Sequence, residues 1–176
     1  MLGLQRGTVR IVAHDPKWKC AYNHEKTALL AILGNLVVDI QHVGSTAVPG
    51  LSAKPIIDIA LAVRSWEQIS EVSEKLAVTD WMDRGWAIEL SADRSDGDYL
   101  FVKECQPECR THHLHIVEVN TLQWKNYLDF RDILIKNAQA RTEYTKLKND
   151  LANKYADQRE SYTSGKKAFI SAMLNS

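Results

Sequence analysis

Along the chain the spacing of apolar positions changes period several times, and each change marks an element. Residues 8–12 (Thr-Val-Arg-Ile-Val) alternate and are largely β-branched, which predicts a short strand. Asp15-Pro16 then reads as a helix cap followed by proline at the first helical position. The helix it opens gathers Trp18, Tyr22, Leu29, Ile32 and Leu33 near one face and stops at Gly34-Asn35. Residues 36–43 predict a second strand, interrupted by Gly44-Ser45-Thr46. After Pro49-Gly50, residues 55–63 are apolar apart from Asp58, the pattern of a strand buried on both faces. Ser65, with Gln68 three residues on, forms a capping box for a helix reaching about Val78. Residues 86–90 and 99–104 predict strands around a polar loop at 91–98, and 112–119 predict a further strand. From Thr121 onward the spacing is helical, with breaks near Asn137 and Asp157 that predict three helices.

This order predicts an α/β (α+β) class: a mixed β-sheet with helices on one side and a C-terminal helical layer. At 176 residues, with no repeat, linker or low-complexity stretch, the expectation is a single domain spanning 1–176. Basic and acidic residues balance at 22 each, so no global field draws the chain toward nucleic acid. No basic patch with interleaved aromatics supports a nucleic-acid partner either. The balance is uneven, however. Residues 121–176 hold 10 basic and 6 acidic side chains, the remainder 12 and 16. A basic helical tail beside an acidic first part suits either a polyphosphate ligand or an ordinary solvated helix surface. The odd cysteine count of 3 and the absence of a signal-like apolar start point to free thiols and a cytoplasmic location. No apolar run approaches the roughly 18 residues of a membrane span.

The chemistry concentrates in QHVGSTAVPGLSAKPIIDI, residues 41–59. Gly44 permits close approach, and the N–H groups and hydroxyls of Ser45 and Thr46 suit a phosphate. Lys54 adds a positive charge. Asp58 stands alone in an apolar strand, where an ionised carboxylate costs several kcal/mol unless paired or bound to a metal. The turn is not a Walker A loop, because Gly50 is followed by Leu-Ser rather than Lys-Ser/Thr.

In HHLHIVE, His113 and His115 share one strand face while Leu114, Ile116 and Glu118 share the other. If the apolar pair faces the helices, the two histidines lie near Asp58. Arg110 has a planar fork able to clamp a phosphate oxygen, or to form an ordinary ion pair. Cys105, Cys109, His112, His113 and His115 also raise a zinc site, but alternation across the strand keeps all the histidines from converging. In the tail, Tyr162 and Lys166 share a helix face; with Arg131 and Lys148 they either cover a ligand or, the aromatic residues above all, pack the helices while the charges face water.

The order of strand, Gly-Ser turn, short helix and aspartate-bearing strand resembles the polymerase-β type nucleotidyltransferase superfamily. GSTAVPGLSAKPIIDI resembles, more narrowly, the signature of its GrpB family. Asp15-Pro16, RTHHLHIVE at 110–118, FRD at 130–132, Tyr144 with Leu147-Lys148, and Tyr162, Lys166 and Phe169-Ile170 carry the likeness along nearly the whole chain. The resemblance implies a nucleotidyltransferase-like fold in which Gly44 and Ser45 hold phosphate and Asp58 holds Mg²⁺ or another divalent metal. Superfamily members use two carboxylates two residues apart, and the second position here is Ala60. His115, helped by His113, is the candidate to complete a one-metal site or an acid–base pair with Asp58. The expected function is transfer of a nucleotidyl group from a nucleoside triphosphate to a small metabolite. The alternative is a non-catalytic module that binds a nucleotide or phosphate metabolite and partners a metabolic enzyme; Ala60 favours it.

Overall fold

The computed structural model describes residues 2–86 and 97–175. Its elements in chain order are β1 (Leu4–Gln5), α1 (Lys17–Leu33), β2 (Asp39–Val43), β3 (Ile57–Val63), α2 (Ile69–Leu76), β4 (Trp81–Trp86), β5 (Tyr99–Gln106) and β6 (Cys109–Glu118). Four helices follow: α3 (Leu122–Lys136), α4 (Ala138–Lys154), α5 (Arg159–Ser164) and α6 (Lys167–Leu174). No helix among the described residues is long and apolar enough to cross a membrane.

The strands form one mixed sheet in the order β2-β3-β6-β5-β4, with β1 pairing antiparallel to the start of β6. The central pair, β3 and β6, is parallel, and β2 and β5 flank it antiparallel. Alternation along β3 explains its composition. Ile57, Ile59, Leu61 and Val63 face α1 and α2, and are joined there by Trp18, Leu29, Leu33, Val72, Leu76, Phe101, Leu114 and Ile116. Each such aliphatic side chain stabilises the fold by about 1.5–3 kcal/mol. On the opposite face Ala60 and Ala62 pack with Val43, Val117 and Trp124 of α3. Alanines on that face let the C-terminal helices approach closely. A third cluster, Val48, Leu51, Leu134, Ala140 and Tyr144, fixes α3 and α4 against the connection between β2 and β3.

Local signals acted as their chemistry predicts. Asp15 Oδ1 accepts the Lys17 N–H at 3.0 Å and opens α1, and Gly34, at φ 57°, closes it. Ser65 and Gln68 make the capping box, Ser65 Oγ accepting from the Glu67 N–H and Gln68 Oε1 from the Ser65 N–H. The helix behind it is shorter than its pattern, ending at Leu76 because Val78 is exposed.

Four expectations need correction. Residues 8–12 are not a strand: only Val12 pairs, in an isolated antiparallel bridge to Ala53, while the Val9 N–H donates to Ala156 O. The second strand starts at Asp39, after a 3₁₀ turn over Gly34–Leu36. The strand expected at 86–90 is represented by β4, which ends at Trp86; residues 87–90 lie outside those described, as does most of the 91–98 loop. The tail holds four helices rather than three, with an added break at Gly165-Lys166. A Cβ on Gly165 would stand 2.6 Å from Leu151 Cδ2, so the corner between α5 and α6 is seated directly on α4.

Candidate functional site

The site is built on the face of β3 and β6 turned toward the C-terminal helices. Register places Asp58 beside His113 and Ala60 beside His115, so strand alternation aims Asp58 and both histidines the same way. His113 Nδ1 lies 2.9 Å from Asp58 Oδ1, and its Nε2 lies 3.4 Å from the Arg159 guanidinium. A guanidinium can only donate. The neutral His113 tautomer therefore carries its proton on Nδ1, donates it to Asp58, and accepts from Arg159. Burial, followed by neighbouring positive charge, outweighs Asp58 and lowers the His113 pKa.

His115 bridges two carboxylates. Its Nδ1 is 2.8 Å from Asp98 Oδ2 and its Nε2 is 3.9 Å from Asp58 Oδ1. The Tyr127 hydroxyl donates to the same Asp98 oxygen at 2.6 Å. Burial alone would lower the His115 pKa, but the charge of Asp98 and the hydrogen bonds that Asp58 and Asp98 accept from the ring prevail and raise it to about 10. In its protonated form His115 donates to Asp98 through Nδ1 and faces Asp58 through Nε2. Burial opposes ionisation of Asp58 as well. The hydrogen bonds to His113 and His115 overcome it and hold the carboxyl well below its usual range.

The Gly-Ser turn closes over this floor. Gly44 adopts φ 68°, and Ser45–Ala47 form a 3₁₀ turn behind it. Thr46 Oγ1 is 3.0 Å from His42 Nε2, and the His42 ring stacks on Tyr22. His42 thus braces the turn from the helix-covered face, and burial lowers its pKa to about 4.

Beyond the turn lies a cavity of about 610 Å³ whose wall includes Gly44, Ser45, Thr46, Lys54 and Asp58. The tail helices contribute Tyr144, Lys148, Arg159, Tyr162 and Lys166 to the same wall. Lys148 is 2% exposed; its Nζ donates to Ser45 Oγ at 3.3 Å and to Ser52 O. Each of the three lysines rests on a ring: Lys148 over Tyr144 at 4.8 Å, and Lys54 and Lys166 over Tyr162 at 5.1 and 4.7 Å. Burial pushes Lys54 and Lys148 down to about 7, with help from the Lys166 charge. Asp58 is the only carboxylate among the described residues that line the cavity.

The structure brings together Gly44, Ser45, Thr46, Lys54, Asp58, His113 and His115. It places Arg110 elsewhere: the side chain is buried outside the cavity wall, its Nε 3.8 Å from Glu104 Oε1. Arg131 holds Gln41 and the His42 carbonyl from behind and does not line the cavity, whereas Lys166 does. Cys105 and Cys109 approach each other, Sγ to Sγ 3.1 Å, on the β5–β6 hairpin. Among the described residues no histidine joins them; the one group with metal-ligand proximity is Asp58, His113 and His115. Asp98, Tyr127 and Arg159 escaped sequence reasoning. Asp98 reaches the His115 face through strand register: Leu100 pairs with His115, and position 98 lies two residues earlier.

The residues do not fit a pair of Mg²⁺ ions held by an acid pair on one strand. Ala60 is fully buried in the apolar cluster beneath α3, and the donors beside Asp58 are imidazole nitrogens, where Mg²⁺ selects oxygens.

Comparison with known proteins agrees with this architecture. The chain is 39% identical to the glutamate-rich protein GrpB of Alkalihalophilus pseudofirmus, over 99% of both sequences. It superimposes on the crystal structure of the conserved protein GrpB from Enterococcus faecalis with a TM-score of 0.81 and 30% identity, covering 94% of this chain and 95% of that one. A more distant likeness, TM-score 0.55 at 14% identity, joins 88% of the chain to 49% of the Cid1 poly(U) polymerase and shows a shared nucleotidyltransferase-like fold. The GrpB protein family profile matches residues 8–176, and the chain belongs to that family.

Proposed function

We propose that the cavity binds a nucleoside triphosphate and passes its nucleotidyl group to a small hydroxyl-bearing metabolite. The observation that carries this reading is Lys148, an ammonium at 2% exposure bonded to the hydroxyl of the Gly-Ser turn. Lys54, Arg159 and Lys166 converge on the same cavity from other segments, against one lining carboxylate. Gathering four desolvated cations is unfavourable unless an anion of high charge offsets them. A polyphosphate supplies that charge. The volume of about 610 Å³ suits a nucleotide, and Phe130, Ile170 and Leu174 give it an apolar wall.

In the transfer the acceptor oxygen attacks the α-phosphorus, the bond to the bridging oxygen breaks, and pyrophosphate leaves. Lys54, Lys148, Lys166 and Arg159 neutralise the leaving group, and the proton of the attacking hydroxyl passes through the Asp58 carboxylate to water as the new P–O bond forms. A second reading, a nucleotide-binding module without turnover that partners a metabolic enzyme, is favoured by Ala60 in the place of the second acid. A pyrophosphate-release assay separates the two. It uses each common nucleoside triphosphate with a panel of sugar, alcohol and phosphate-ester acceptors. Release that is lost in Lys148→Met supports transfer. Tight nucleotide binding with no release from any acceptor establishes the second reading.

A further inference from the structure

The mismatch with Mg²⁺ has a constructive side. Where the superfamily pattern calls for a second carboxylate, β3 has Ala60, and directly across from Ala60 on β6 stands His115. The ligand has moved from one strand to its neighbour, and the alanine methyl leaves room for the imidazole beside it. We propose that the cavity floor is a mononuclear site for an imidazole-preferring divalent transition ion, with Asp58, His113 and His115 as its protein ligands and Asp98 as the residue that aims His115. The inference rests on the cavity floor being the working end of the site and specifies the ion that it takes.

The donor geometry supports it. Asp58 Oδ1 is 2.9 Å from His113 Nδ1 and 3.9 Å from His115 Nε2, and one ligand atom from each residue lies within 4.8 Å of the others. Those separations bracket the roughly 3.4 Å between ligands of a tetrahedral ion with bonds of about 2.0–2.1 Å. Two imidazoles and one carboxylate are donors that favour zinc or iron over magnesium. The surroundings are those of a metal-binding histidine as well. His115 holds Asp98 through Nδ1, which turns Nε2 toward Asp58, and Tyr127 in turn fixes Asp98. Carboxylate–histidine pairs of this kind orient metal ligands, and their loss costs about 10–100-fold in affinity. Three protein ligands on the floor leave the remaining positions facing the cavity, where a phosphate oxygen would reach them. Two groups oppose it: His115 must give up its Nε2 proton to bind the ion, and the Arg159 guanidinium faces His113 Nε2, which carries the proton once Nδ1 binds the ion.

The test is calorimetric titration of metal-stripped full-length protein with ZnCl₂, MnCl₂ and MgCl₂ alone, in a Cys105→Ser/Cys109→Ser background that removes the exposed thiol pair. The expected result is one equivalent of Zn²⁺ bound at least about 100-fold more tightly than Mg²⁺. Asp98→Asn should weaken it about 10–100-fold, His115→Gln should weaken it further, and Arg159→Ala should strengthen it. Should a ligand variant fail to fold, Co²⁺ bound to the parent protein reports the donors directly, with d–d bands of a nitrogen/oxygen site. Mg²⁺ binding as tightly as the transition ions would overturn the proposal, as would affinity indifferent to His115 and Asp98. Triphosphate binding is measured separately in EDTA. Nucleotide binding without an ion site refutes this inference alone, and an ion site without nucleotide binding refutes the reading of the preceding section alone.

Discussion

Gly44 and Asp58 touch across the turn between β2 and β3: a Cβ on Gly44 would stand 2.5 Å from Asp58 Oδ2. With φ at 68°, the position is strained for any other residue even before the clash. Gly44→Ala should therefore destabilise the protein by about 1–3 kcal/mol and displace the Ser45 hydroxyl from Lys148. Chemical denaturation checks the first effect and triphosphate titration the second. Unchanged values of both would show that the turn does not rest on the carboxylate.

Lys148 separates binding from stability. Its ammonium is buried without a carboxylate partner, bonded to Ser45 Oγ and Ser52 O. Lys148→Met keeps the packing on Tyr144 and removes a desolvated charge, so the melting temperature should hold or rise. Affinity for a triphosphate should fall by about 1.5–3 kcal/mol, the worth of a hydrogen bond to a charged group. A lowered melting temperature with unaltered affinity would assign Lys148 to the framework instead.

The depressed lysines predict proton uptake on binding. Burial holds Lys54 and Lys148 near 7 in the free protein, so at pH 8 both are largely neutral, and a bound polyphosphate restores their charge. Titration calorimetry at pH 8 in buffers of different ionisation enthalpy should show uptake, which is reduced in Lys54→Met and in Lys148→Met. Affinity should decline as pH rises from 7 to 9. Without ligand the sign reverses for stability. Folded pKa values near 7 against about 10.4 unfolded mean that the unfolded chain binds more protons in that window, so these two groups make stability rise with pH there.

At acid pH the bracing histidine works against the fold. Burial lowers His42 to about 4, below its unfolded value near 6.5. Between those limits the unfolded chain binds more protons, so stability is lost as pH falls from 6.5 to 4, at up to about 1.4 kcal/mol per unit from this group. His42→Gln should flatten that slope in denaturant melts taken across the range. An unchanged slope would mean that His42 is solvated.

The sheet and the floor of the site were legible because a strand's period of two is strict. An apolar strand with one aspartate had to be central, and alternation alone put His113 and His115 on a common face. Asp98 was hidden for the opposite reason: it ends a polar stretch with no period, where a buried acceptor for His115 looks like any loop carboxylate. Tyr127 and Arg159 belong to helices whose facing depends on packing that composition does not encode. For Arg110 the sequence left a phosphate clamp and an ion pair open; register shifts at Lys103/Glu104 and Glu104/Gln106 re-aim the hairpin and set Glu104 beside it. The fourth tail helix follows from Gly165 seated against Leu151, a tertiary contact that a helix-period pattern passes over.

Four cations and the Gly-Ser turn are proposed to form a polyphosphate cradle, and equilibrium binding of triphosphates decides it. Titration of metal-stripped protein with ATP, GTP, CTP, UTP and inorganic triphosphate, repeated in Lys54→Met, Lys148→Met and Arg159→Ala, reads it out. The cradle predicts saturable binding of at least one nucleoside triphosphate, competition by inorganic triphosphate, and losses of about tenfold or more in each variant. A folded protein that binds no triphosphate, or binds one with equal affinity in all three variants, contradicts it.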